Sequence, residues 1–307
     1  MEDSFLQKEL TGWPLAQKNY EALRGVCRKD FVQFNPARIV STGASIDKES
    51  IRKRPCFLCS QNRPAEQHSL PIAEHYELLV NPFPILPEHF TIASLTHEPQ
   101  RIRTHFADMQ KMVGALPEYI VFYNGPVCGA SCPDHLHFQS GSKGIVPLQR
   151  DWSLFAAHTQ RIVEGTAAEA TPNTWTGISL LPNWPVFVIE SDSAQEQEAL
   201  FMRLYDVLPV AEDEEEPRMN LLCWMEGNHR ITLLFPRSKH RPECYYAQGE
   251  AQRLISPGAL DMAGLLITPR REDFERLDAK DAARIIQEVS LSPQQIEDVV
   301  KAIQNEY

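Results

Sequence analysis

Asn124-Gly-Pro-Val-Cys-Gly-Ala-Ser-Cys-Pro-Asp-His-Leu-His-Phe-Gln139 is the stretch that decides how this chain folds. Its last five residues are expected to be extended. On a strand alternate side chains share a face, so His135, His137 and Gln139 point one way while Leu136 and Phe138 point into a core. A lone histidine there would be a satisfied core or surface residue. Two histidines and a glutamine at alternate positions make a converging polar face instead. A neutral imidazole can attack phosphorus and split one transfer into two displacements. A glutamine amide can donate to a phosphoryl oxygen without competing as a nucleophile. The preceding Gly129-Ala130-Ser131 lets backbone N–H groups come close to a phosphate.

Around this stretch the pattern is one of short strands with helices between them. Tyr76 to Val80 and Phe90 to Leu95 read as a hairpin about the proline-rich turn Asn81 to Pro87. Arg101 to Leu116 reads as a helix and Tyr119 to Tyr123 as a strand. Residues 1–35 carry helical spacing, and Ile39 to Thr42 is a β-branched run. In the second half, Trp152 to Val163 and Ala194 to Leu208 are predicted helices, with strands at Thr174 to Leu181 and Pro185 to Glu190 between them. Asn220 to Glu226 and Arg230 to Phe235 form a second hairpin about Gly227-Asn228. Two helices close the chain, the last capped by Ser292 with Pro293 in its first turn. Phe90-Thr91-Ile92 leading to Thr96-His97-Glu98-Pro99 is echoed by Ile231-Thr232-Leu233 leading to Lys239-His240-Arg241-Pro242. The echo marks either a duplicated unit or chance. Without a βαβ rhythm the fold class is α+β, and neither a dinucleotide fingerprint nor a P-loop is present.

His135-Leu-His137-Phe-Gln139 resembles the His-x-His-x-Gln motif of the nucleotidyltransferase branch of the histidine-triad superfamily. That branch holds galactose-1-phosphate uridylyltransferases, diadenosine tetraphosphate phosphorylases and GDP-hexose phosphorylases, and the wording here is most like the last. The similarity extends over roughly residues 50–140, through Asn81-Pro82-Phe83, His97 and Asn124. It implies a histidine-triad-like antiparallel sheet flanked by helices, in two related halves: a catalytic half over 1–150 and a second half, with the C-terminal helices, over 151–307. It also implies that His137 is the nucleophile and that Gln139 contacts the phosphate. Asn124 and Ser131 would line the phosphate pocket, with Asn81 and Phe83 against ribose and base. Glutamine at 139, where hydrolytic members usually carry a third histidine, fits transfer better than hydrolysis.

Cys56-Phe-Leu-Cys59 has the spacing that lets two thiolates bind one tetrahedral ion, which needs two further ligands. The resemblance supplies His97 and His135, giving a structural Cys2His2 zinc site beside the nucleophile. Cys56, Cys59, Cys128 and Cys132 form a competing set. A redox role for Cys56 and Cys59 lacks a thioredoxin-like context. Three basic clusters, Arg52 to Arg54, Arg237 to Arg241 and Arg270-Arg271, suit phosphate oxygens. Of these, Arg237 and Lys239 are the candidate substrate contacts, against the plain reading of a solvated surface.

Composition sets the outer limits. The 307 residues are 43% apolar and 23% charged, enough for one large domain or two packed halves. Net charge is 30 − 41 = −11, with five of the acids in the run Glu212 to Glu216, read as a solvated loop. That balance argues against nucleic-acid and anionic-membrane partners. The seven cysteines are an odd number, and the acidic start lacks a secretory apolar core, so a reducing cytoplasm is expected. The expected activity is nucleotidyl transfer from a nucleotide sugar or dinucleoside polyphosphate to phosphate or a sugar phosphate, with a homodimer as the candidate assembly. A nucleotide hydrolase, a non-catalytic nucleotide-binding protein and a zinc-stabilised interaction module are the other readings.

Overall fold

In a computed structural model, residues 5–26, 28–29, 31–43, 47–165 and 175–305 are described. Ten strands form one antiparallel sheet. Labelled in chain order after β1 (Arg28–Lys29) and β2 (Val32–Phe34), they are β3 (Ser69–Ile72), β4 (Tyr76–Val80), β5 (His89–Ser94), β6 (Tyr119–Asn124) and β7 (His137–Ser142). The second half adds β8 (Gln160–Glu164), β9 (Gly177–Leu181), β10 (Val186–Ser191), β11 (Met219–Glu226) and β12 (His229–Pro236). The order across the sheet is β3-β4-β5-β7-β6-β11-β12-β10-β9-β8. Read from either outer edge inwards, the five strands of a half come first, second, third, fifth, fourth. In each half one helix, Phe106–Ala115 or Ala194–Val207, joins the third strand to the fourth. The halves meet where β6 pairs β11, from Asn124 opposite Asn220 to Val121 opposite Cys223. A smaller sheet, β1-β2-β13 with β13 at Leu266–Thr268, packs separately.

Period-two alternation on the strands divides the core between the two faces. Phe90, Ile92, Tyr123, Leu136, Phe138 and Phe187 lie on one side, under the helices Phe106–Ala115, Ala194–Val207 and Pro293–Asn305. Phe122, Val188, Leu222 and Leu233 lie in the other cluster, with Ala259, Leu260 and Ile285 from the C-terminal segment. The last helix starts as its sequence signals, with Ser292 Oγ accepting from Gln295 N and Gln295 Oε1 accepting from Ser292 N. No helix among the described residues is long and apolar enough to cross a membrane.

Several local expectations are corrected. Among the described residues of 1–35, helical spacing holds only for Phe5–Gly12 and Pro14–Arg24. Val32–Phe34 is instead a strand, because Leu266–Thr268 pairs with it in parallel. Ile39–Thr42 is one helical turn, closed by Gly43 N on Ile39 O, since no strand is there to pair with it. The helix expected from Trp152 to Val163 ends at Ala156. Thr159 Oγ1 bonds back to Ala156 O, and the β-branched Ile162 and Val163 then join the sheet edge against β9. The strand expected from Thr174 begins at Gly177; Thr174 lies outside the described residues. The echo between 90–99 and 231–242 joins β5, the third strand of its half, to β12, the fifth of its own, so it is chance. The acidic run is not wholly solvated either. Glu216 is buried, accepting from Tyr123 Oη at 2.7 Å and from Ile102 N at 2.9 Å.

Candidate active site and metal centre

β7 begins at His137, not at His135, which sits in the turn before it. The nucleophile candidate is therefore the first residue of a central strand, at the point where β6 and β7 part. Their ladder runs from Tyr119 opposite Ser142 to Phe122 opposite Gln139 and goes no further. The side chain of Gln100, fully buried, fills the gap. Its Oε1 accepts from His137 N at 2.8 Å, while its Nε2 donates to His137 O and Asn124 O at 2.9 Å each. A primary amide thus stands in for the missing stretch of strand.

His137 is 5% exposed, and its Nδ1 lies 2.8 Å from His135 O. A carbonyl only accepts, so Nδ1 carries the hydrogen and Nε2 keeps its lone pair. Burial lowers the His137 pKa to about 4, so the ring is neutral at pH 7. Gln139 is oriented by a residue that sequence reasoning missed. His89, fully buried on β5, accepts from Ile85 N through Nδ1 at 2.9 Å. Its Nε2 must then carry the hydrogen and donate to Gln139 Oε1, also at 2.9 Å. With the oxygen engaged, the amide NH2 is the end of Gln139 left for a ligand. The signal for His89 was available: with Phe90 and Ile92 facing the core, His89 and Thr91 must share the opposite face with Gln139.

That face opens into a cavity of about 560 Å³, within the range of small-molecule sites. His137, Gln139, Ser131, Asn81 and Phe83 all line it, and Trp13 and Phe57 supply aromatic surface. Asn81 Nδ2 donates to Thr91 Oγ1, and its Oδ1 accepts from Phe83 N, which fixes the hairpin turn against the cavity. Three expected contacts fall elsewhere. Asn124 does not line the cavity; its Oδ1 accepts from Asn220 Nδ2 and Ala259 N, joining the two halves. Arg237 is 3% exposed and donates to Asn220 Oδ1, Pro257 O and Val289 O. Lys239 pairs with Glu288 at 2.7 Å. Both are structural, and for that reason neither reaches the cavity.

Cys56, Cys59, His97 and His135 bring their ligand atoms within 4.8 Å of one another. Cys56 Sγ is 3.2 Å and Cys59 Sγ 3.6 Å from His135 Nδ1, and Cys59 Sγ is 3.2 Å from His97 Nδ1. Tetrahedral zinc at its usual bond lengths spaces such donors by about 3.3–3.8 Å, so the set fits. His135 Nε2 donates to Ser94 O at 2.9 Å, the outer bond that fixes a ligating imidazole with Nδ1 inward. The four-cysteine alternative fails because Cys128 lies outside the cluster. Cys132 does approach it, with its Sγ 3.7 Å from that of Cys56.

Residues 5–142 match the family model of a domain of unknown function, DUF4922, and residues 156–307 that of the GDPGP1-like C-terminal domain. No curated protein matches the chain. Among solved structures, yeast Ap4A phosphorylase Apa2 in complex with Ap4A is similar over 95% of this chain and 99% of its own, at 17% identity and TM-score 0.56. Its complex with AMP is similar over 92% and 97%, at 17% identity and TM-score 0.51. An ADP-glucose phosphorylase from Arabidopsis thaliana with bound ADP-glucose is similar over 87% and 99%, at 13% identity and TM-score 0.38.

Proposed function

We propose that this chain belongs to the nucleotidyltransferase branch of the histidine-triad superfamily and is a phosphorylase-type nucleotidyltransferase acting through His137. The observation that carries the reading is the neutral, oriented imidazole: Nδ1–H held on His135 O, in a residue that lines a nucleotide-sized cavity together with Gln139. Nε2 donates its pair to the α-phosphorus of a nucleotide sugar or dinucleoside polyphosphate. A P–N bond forms, the P–O bond to the leaving group breaks, and that pair departs with the leaving oxygen. An acceptor oxygen then forms a new P–O bond, and the P–N pair returns to Nε2. The Gln139 NH2 group and the loop at Ser131 hold the phosphoryl oxygens through both steps. Asn81, Phe83 and Trp13 wall the nucleoside end.

Zinc is the ion we assign to Cys56, Cys59, His97 and His135. With four protein ligands it takes no part in the chemistry and fixes the turn whose carbonyl orients His137. On the shared strand order, residues 1–150 and 151–307 are read as related halves of which the first carries the nucleophile.

The deciding experiment incubates the whole protein with nucleotide sugars and dinucleoside polyphosphates labelled at the α-phosphate. The expected result is an acid-labile nucleotidyl adduct that is absent from His137→Ala and discharged on adding phosphate. Discharge by water alone at the same rate would make the protein a hydrolase. Failure to form any adduct would sink the covalent mechanism.

A further inference from the structure

The basic run Arg52-Lys53-Arg54 divides in the structure. Arg52 and Lys53 end the helix Lys48–Lys53 and stay exposed, with Lys53 paired to Glu49. Pro55 disfavours helical geometry at the residue before it, so Arg54 leaves the helix extended, at φ −105° and ψ 144°. Its half-buried side chain lines the cavity with His137, Gln139 and Ser131. We propose that Arg54 is a further catalytic residue, whose guanidinium binds the diphosphate of the substrate and supplies the positive charge that a divalent cation would otherwise bring. The inference rests on the nucleotidyl-transfer reading above.

Three observations carry it. The first is how the guanidinium is held. Nη2 donates to Asp134 Oδ1 at 2.8 Å and to Ser131 O at 3.4 Å, which fixes the group against the phosphate loop. The Phe57 ring lies beneath it, with its centroid 5.1 Å from Cζ. The other acceptor among the described residues is Cys132 Sγ, a weak one at 3.7–3.8 Å. Nε–H and an Nη1 hydrogen are therefore left for a ligand. A fork anchored on one side and open on the other matches a pair of phosphate oxygens in both charge and geometry.

The second observation is the chemistry of the cavity wall. Among the described residues, none that lines the cavity carries a carboxylate. Magnesium is ordinarily bound through one or two carboxylates together with substrate phosphates, so this wall meets a diphosphate with guanidinium groups instead. Arg38 is the other one, and it is tied through Nη1 to Phe83 O at 3.1 Å, at the nucleoside end. The third is continuity with the metal cluster. Arg54 precedes Cys56 by two residues, and Asp134 precedes His135 and reaches within 4.0 Å of His97 Nε2 through Oδ2. The cluster that would fix the turn before His137 would thus also fix both members of the Arg54–Asp134 pair.

In the first displacement the P–O pair leaves with the departing oxygen, and the leaving phosphate gains one negative charge. In the second the acceptor oxygen enters where the leaving group left, forms its P–O bond and gives up that charge as the P–N pair returns to Nε2. Arg54 faces the same position in both steps. It exchanges no proton, and its hydrogen bonds strengthen as charge builds on the oxygens they hold.

The test measures adduct formation by rapid quench on the whole protein, with the same α-labelled nucleotide sugars and dinucleoside polyphosphates, beside calorimetric binding of inorganic pyrophosphate. Arg54→Gln is expected to slow adduct formation about 100- to 1,000-fold, the effect of losing one preorganised donor to developing charge. It should weaken pyrophosphate binding about 10- to 100-fold, as loss of a charged hydrogen bond does. Arg54→Lys should recover part of the rate, and added guanidinium ion should partly rescue Arg54→Ala, which a merely structural role would not allow. Added Mg2+ should change the wild-type rate by less than about 2-fold. A wild-type rate in Arg54→Gln, unchanged pyrophosphate affinity, or an absolute need for Mg2+ overturns the proposal and leaves the covalent mechanism standing. A wild-type protein that binds pyrophosphate through Arg54 yet forms no adduct keeps the diphosphate contact and sinks the nucleotidyl-transfer reading instead.

Discussion

At the scale of single residues, the chemistry depends on which nitrogen of each imidazole holds the hydrogen. In three cases a neighbouring backbone group decides it: His135 O for His137, Ile85 N for His89 and Ser94 O for His135. His89→Phe keeps the volume and removes the donor to Gln139 Oε1, leaving a buried carbonyl oxygen unpaired and the amide free to turn over. An unpaired buried polar group costs about 1–3 kcal/mol, so kcat for adduct formation is expected to fall roughly 5- to 150-fold, with substrate KM nearly constant. Rapid-quench kinetics reads this directly. The motif itself was legible from the sequence because a two-residue period needs no knowledge of neighbours. That Arg237 and Lys239 do not line the cavity was not legible. Arg237 is buried by a strand junction and Lys239 is paired with Glu288, nearly fifty positions away.

At the scale of elements, two devices hold the start of β7. A metal ion held by Cys56, Cys59, His97 and His135 would tie the 56–59 loop and His97, just beyond β5, to the turn at His135. Gln100 replaces the ladder where β6 and β7 part. Removing the metal from the intact protein with a chelator, or with Cys59→Ser, should lower Tm by several degrees and slow adduct formation by about 10- to 100-fold. Metal analysis alongside activity checks it, and activity that survives with no metal bound would refute the coupling. Gln100→Leu retains the bulk but orphans His137 N in a buried setting. It should cost about 2–4 kcal/mol of stability in urea unfolding, at most a slight change in m-value accompanying it. Hairpins and strand periods made most of these elements readable in advance. Trp152 to Val163 misled because its second half carries the apolar spacing of a helix yet finds a strand, β9, to pair with.

At the scale of the whole molecule, buried histidines couple folding to pH. Burial holds the His89 and His240 pKa values near 3, against an ordinary value of 6.5. Their folded pKa values are depressed, so the unfolded chain binds more protons below pH 6.5. Stability is therefore fully present above pH 6.5 and is lost as pH falls towards about 3, by up to about 1.4 kcal/mol per pH unit for each group. Glu216 acts in the opposite direction. Burial raises its pKa to about 7, so its contribution is complete below about 4.5 and lost as pH rises through 7. Unfolding free energies between pH 4 and 8 should therefore peak near pH 6, with the acid limb flattened in His240→Phe and the alkaline limb in Glu216→Gln. The α+β class was readable from element rhythm, but the continuity of the sheet was not, because strand order is set by pairings that no local pattern encodes.

The matched strand order has a further consequence. The two five-stranded units are joined by one segment of chain and by the pairing of β6 with β11, from Asn124–Asn220 to Val121–Cys223, while β13 of the second half also pairs with β2 of the first. A cut in the connection at residues 157–159 leaves every strand of each unit intact within its own fragment. His137 and the metal ligands would then travel with one fragment and the C-terminal helices with the other. Mixing fragments from different variants should therefore rebuild the ten-stranded sheet across the β6–β11 seam, with His137 and the second half inherited from separate parents.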